Sequence, residues 1–319
     1  MNRQLQQFKK QMKNGRLAQS FLVVGPEGTG KFSTVIKMVG LVNNLSKNEL
    51  KILRQGALPD TMLVEAGGNL KTNQEKNKQI QSKVSSKTKR NKKTKAVISK
   101  KQLDQAIGKI YLKNFQFKKK VLIIRDADKL TNTATNSLLK LIEEPSSNLI
   151  IFLLVNNEED VLATIKSRCQ KIVFTFLSDE EISRRLDEEF DLAEEQKQKI
   201  IQLAYGRIEL AKQYANNPKQ INKALKIRDD FRQSLRKGKI QQLKLVEKIS
   251  SGEDDLLWVL NEWIWYLKIF LEQNISQGQS MAVVTKIYKI LNNLLEIRSV
   301  IKTSNANSKV QLENFFIQI

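Results

Sequence analysis

Histidine is absent from this 319-residue chain, and cysteine occurs once, as Cys169. The first absence removes histidine-based acid/base chemistry, nucleophilic triads and histidine-ligated metals. The second excludes an internal disulfide and any multi-cysteine zinc site, so no metal is expected. No apolar run approaches the roughly 20 residues that a membrane span needs. The opening stretch, "MNRQLQQFKKQMKNG", has no apolar signal region, which makes a cytoplasmic protein without a membrane partner the expectation. Acidic residues are also scarce, 33 against 55 Lys and Arg, for a net charge of +22. That excess points to polyanionic partners. Twelve of the basic residues and only one acidic residue, Glu75, fall within 67–101; the remaining 43 basic and 32 acidic residues still leave the chain basic.

The chain alternates short apolar runs with helical patterns. Residues 1–20 predict an amphipathic helix and a turn at Asn14-Gly15. Strands are predicted at 21–24, 61–65, 121–124, 149–155 and 171–174, with helices over 99–112 and 132–144, the latter stopped by Pro145. Continuous apolar strands alternating with helices argue for a five-stranded parallel sheet covered on both faces, an α/β domain over 1–177. Within it, about 67–97 is low-complexity Lys, Asn, Gln and Ser, which cannot bury enough apolar surface to offset its ordering entropy; a disordered basic insertion is expected. After residue 178 the pattern becomes helical. A small domain is expected over 178–218 and a second all-α domain over 219–319, where Trp258, Trp263, Trp265, Tyr266 and Phe270 share a helix and are read as core.

The stretch "GPEGTGKF", residues 25–32, falls one step short of a phosphate-binding loop. Gly25, Gly28 and Gly30 would let backbone N–H groups curl around phosphates at a helix N-terminus, and Lys31 would reach the outer ones. The next residue should carry the hydroxyl that holds Mg²⁺. It is Phe32, and Ser33 lies about 100° further around the helix. The third strand should end in an acidic pair; "VLIIRDAD" has Arg125 at the metal's position and Asp126 at the second. These two changes read as independent losses at one metal, and they make hydrolysis in cis improbable. Ahead of the fifth strand stands Ser167-Arg168-Cys169, with an arginine at the sheet's rim that is free to point away from its own subunit.

"KNGRLAQSFLVVGPEGTGK", "LPDTMLVEA", the long stretch from "VLIIRDADKL" through "LLKLIEEP" to "SRCQKIVF", and the ending "NANSKVQLENFFIQI" together resemble the delta-prime family of bacterial DNA polymerase III clamp-loader subunits. The resemblance spans nearly the whole chain outside 67–97. It implies an AAA+ module followed by a helical lid domain and a helical collar domain. It implies a hetero-pentamer with gamma or tau and delta subunits, acting on a sliding clamp and primed DNA. It further implies that Arg168 serves the ATP site of the adjacent gamma-type subunit. Delta-prime subunits commonly carry damaged nucleotide sites, so no cofactor is required, though passive nucleotide binding stays open. The four-cysteine zinc module of many relatives is missing. The position resembling the lid-domain sensor arginine is Glu209, or Arg207 if the alignment slips. The first-sensor position is Asn156 or Asn157. Two alternatives stand beside this reading: an active gamma- or tau-type AAA+ ATPase, and a basic DNA-binding protein on an AAA+ scaffold.

Overall fold

A computed structural model of the chain describes residues 3–67, 97–111, 117–250, 255–303 and 306–318. The expected insertion at 67–97 lies, apart from its two end residues, outside them. The sheet is parallel and five-stranded. Its strands are β1 (Ser20–Val24), β2 (Thr61–Val64), β3 (Lys120–Ile124), β4 (Leu149–Val155) and β5 (Gln170–Val173), in the order β2-β3-β4-β1-β5. Each predicted strand is present to within a residue or so; the fully buried runs of β1, β3 and β4 are satisfied between two covering layers, and β2 and β5 are the edges.

Alternation along the strands splits the core in two. Leu22, Val24, Leu122, Ile124, Ile151, Leu153 and Val155 face one layer. Phe21, Val23, Val121, Ile123, Ile150, Phe152 and Leu154 face the other. In the second layer Phe8, from helix α1 (Arg3–Lys13), packs on Phe21, and Phe21 stacks on Phe152 with ring centroids 5.1 Å apart. Helix α2 (Lys31–Asn43) follows the glycine loop, and α3 (Lys47–Arg54) begins with a capping box between Ser46 and Glu49. Helices at Lys100–Tyr111 and Asn132–Glu143 pack on the first layer.

The chain divides into two units. One holds the sheet together with Gly206–Glu209; the other holds Asp179–Tyr205 and Leu210–Ile319. The second unit therefore takes in most of the expected lid as well as the expected collar. Its core is aromatic: Phe231 stacks on Trp263 at 4.5 Å, and Phe315 and Phe316 pack beside them. The core reading of the aromatic helix, Leu256–Ser276, holds for Trp263, which is fully buried, and for the half-buried Trp258 and Tyr266 packed against it. It does not hold for Trp265, which is half-buried outside that cluster with Lys268 Nζ 4.7 Å from its ring centroid, or for Phe270, which is 39% exposed.

Candidate functional site

The glycine loop joins β1 to α2 and is tightly built. Gly25 has φ 152°, and a Cβ there would lie 2.3 Å from the carbonyl oxygen of Phe174, so no other residue fits without moving the backbone. Gly28 has φ 84° and lies under the side chain of Arg207, whose Cβ would be 3.0 Å from an added methyl. Lys31 folds back over this loop. Its Nζ donates to the carbonyl oxygens of Gly25 and Pro26, the latter at 2.8 Å, and to Asn156 Oδ1 at 3.2 Å. Burial pushes the ammonium down to about 8, while Glu27, Asp126 and Asp128 pull it back up. Of the two candidate asparagines, Asn156 faces the loop; Asn157 turns to Asp160 at 3.3 Å.

Of the two candidate lid residues, both reach the loop. Arg207 is buried against Gly28, and the backbone N–H of Glu209 donates to the Gly28 carbonyl at 3.0 Å. Both come from the short segment that joins the sheet-containing unit.

Phe32, directly after Lys31, is half-buried against the second core layer. Arg125 follows β3, and its guanidinium carbon lies 4.6 Å from the centroid of the Phe32 ring. Its Nη1 is 2.6 Å from Glu65 Oε1, at the end of β2. Phe32 and Arg125 are therefore in contact. The nucleotide chemistry of this fold class needs an oxygen at each of these positions to hold Mg²⁺. Here a ring and a cation fill that space, and the residues do not fit the metal. Asp126 has left-handed backbone (φ 54°) and pairs with Lys129 at 3.2 Å. Asp128 carries no motif signal in the sequence; burial pushes its carboxyl up, and its Oδ1 finds no hydrogen-bond partner among the described residues.

Arg168 stands just before β5. Its Nη2 is 2.9 Å from Glu143 Oε1, and its Nη1 donates to the Thr164 carbonyl at 3.1 Å and to Ser167 Oγ at 3.4 Å. The side chain stays 41% exposed. Cys169, next to it, is packed against the first core layer, and burial pushes its thiol up to about 11. It serves as packing and is a poor nucleophile. The partners Glu65 and Glu143 lie within the stretches "LPDTMLVEA" and "LLKLIEEP", but the pattern gives neither a role; only strand register and helix packing bring them to the two arginines.

Residues 1–178 match the model of a family described as DNA polymerase III, delta subunit. Over 182 residues the chain is 30% identical to DNA polymerase III subunit delta' of Bacillus subtilis, which covers 54% of this chain and 47% of that one. A segment of 51 residues is 45% identical to the delta' subunit of Haemophilus influenzae, 16% of each chain. The chain thus spans about half the length, or less, of these curated relatives. A solved DNA polymerase III gamma subunit-related protein from Thermotoga maritima aligns with 99% of this chain and 98% of its own, at a TM-score of 0.51. Its 15% identity bears on the fold alone. The glycine loop, the parallel sheet and the arginine ahead of β5 all lie within the family match, and the chain belongs to this family of DNA polymerase III delta-type subunits.

Proposed function

We propose that this protein is a non-hydrolysing clamp-loader subunit that works in the cytoplasm beside gamma or tau and delta subunits. In this role it helps place a sliding clamp on primed DNA, and its chemical contribution is Arg168, donated to the ATP site of a neighbouring gamma-type subunit. The observation that supports the reading is the placement of Arg168 just before β5, half-exposed and held by Glu143 and by partners in its own turn. Arg125 is just as exposed but lies against Phe32 and Glu65, at the loop of its own chain. Arg168 stands at the rim, half-exposed, in an ion pair with Glu143. An exposed pair of this kind is worth about 0–1 kcal/mol, so a triphosphate can outcompete it. A guanidinium offers a permanent charge and a planar fork of donors to phosphate oxygens as charge develops, worth about 10³–10⁵ in rate in related phosphoryl-transfer systems.

The test is a reconstituted complex. Arg168→Ala should leave the chain folded and assembled but remove a large part of the DNA- and clamp-stimulated ATPase. Arg168→Lys should rescue poorly, because an ammonium cannot copy the fork. Arg125→Ala, assayed below its melting range, should cost little ATPase. The chain by itself should show no turnover above background. Equal, negligible effects of both arginine substitutions would reduce Arg168 to a surface residue.

A further inference from the structure

Three side chains from three separate elements meet at the end of the sheet. Phe32 is the second residue of α2, Glu65 follows β2, and Arg125 follows β3. The backbone explains two of these placements. β2 and β3 run parallel with Val64 opposite Ile124, so the residues after them emerge side by side, and the Arg125 N–H donates to the Val64 carbonyl at 2.9 Å. The guanidinium then lies between Glu65 Oε1, at 2.6 Å, and the Phe32 ring, at 4.6 Å.

We propose that Phe32, Arg125 and Glu65 act as one interlocked unit, an internal cation that takes the place of a divalent metal in tying the phosphate-loop helix to the sheet. Each part needs the others. An aromatic face attracts a cation held over it, and Arg stacks there better than Lys because its charge is planar and weakly hydrated. The carboxylate offsets that charge and fixes the guanidinium in position. Neither partner would serve a metal: the ring has no oxygen, and the guanidinium repels a second cation. A phenylalanine at position 32 alone would leave a carboxylate at 125 without its metal. An arginine at 125 alone would face a hydroxyl and gain no ring. The two positions are therefore coupled, and a metal site returns only if both change. This inference does not rest on the role given to Arg168.

The test uses the full chain and two readouts. The first is hydrogen exchange of the amides of α2 and β3, which reports local opening without requiring the two units to unfold together. Phe32→Leu and Arg125→Met each keep apolar bulk while removing one partner. Each should lower protection, and the double variant should lose no more than the larger single loss, a coupling of about 2- to 5-fold in the opening equilibrium, the range for a half-exposed cation over a ring. Glu65→Gln should weaken the same coupling. The second readout is ATP binding with and without Mg²⁺, followed by calorimetry. Mg²⁺ should make no difference to the wild type, to Phe32→Thr or to Arg125→Asp, and should strengthen ATP binding only in the combined Phe32→Thr/Arg125→Asp variant. Additive protection losses would overturn the interlock. Mg²⁺-dependent binding by the wild type or by either single variant, or its absence in the combined variant, would overturn the substitution of arginine for metal.

Discussion

Lys31 is legible in the sequence as a phosphate-loop lysine, but its surroundings are not. Its ammonium is held against the loop's own carbonyls, and burial brings it down to about 8. The ordinary value of 10.5 applies to the unfolded chain. Between about pH 8 and 10.5 the unfolded chain therefore holds a proton that the folded one has released, and stability rises with pH through that window. Relative to Lys31→Met, the wild-type melting curve of the loop-bearing unit should shift upward as pH increases from 8 to 10, and the two should run parallel below 8. A difference that shrinks over that range would show the ammonium to be stabilised where it sits. Cys169 gives a second residue-scale expectation. A thiol at about 11, against an ordinary 9, carries about a hundredth of the usual thiolate at pH 8. Alkylation by iodoacetamide should accordingly be about 100-fold slower than for an unstructured cysteine peptide, and should speed up on denaturation.

At the scale of elements, the helical unit is tied together by a polar group that no pattern announces. Glu262, on Leu256–Ser276, accepts from Arg228 Nε at 2.9 Å and from the Tyr214 hydroxyl at 3.1 Å. Arg228, on Pro218–Arg236, also donates to the Leu203 carbonyl at 3.1 Å, so four helices share one buried network. Removing one member strands a buried charge. Glu262→Ala should cost about 3–5 kcal/mol, read as a lower melting point of this unit, whereas replacing Arg228 and Glu262 together by apolar residues of similar size should cost much less or nothing. Comparable losses in the single and double variants would show that the charged pair itself stabilises the unit beyond what apolar packing supplies. The strands, by contrast, are readable nearly to the residue; the central ones, β1, β3 and β4, are runs buried along their whole length, while the edge strand β5 alternates between half-buried and exposed positions.

For the whole molecule the dominant property is charge. A net charge of +22 favours nucleic acid, and half of that imbalance comes from residues 67–101. Replacing 68–96 with a short Gly-Ser linker should leave the helical circular dichroism signal and the melting points unchanged, since that stretch supplies few apolar side chains. If it touches DNA, the replacement should weaken duplex binding and flatten its salt dependence by about 0.9 in log–log slope for each phosphate no longer neutralised. An unchanged slope would place DNA binding elsewhere on the chain. Tight salt-resistant binding by the isolated chain would favour the DNA-binding alternative over a subunit that meets DNA within a complex.

Local pattern is enough for the sheet, the loop glycines, Lys31, Arg125 and Arg168, because hydrophobic period and motif spacing are properties of neighbouring residues. The parallel α/β sheet follows from them. What sequence spacing does not contain is which residues meet. Glu65 and Arg125 are 60 positions apart, and Lys31 and Asn156 are 125 apart. The strand order β2-β3-β4-β1-β5 and the register of β2 on β3 bring them together. Two substitutions that look like separate damage in the sequence become one contact in the fold, because side-chain chemistry is decided by distances that only the packed sheet sets.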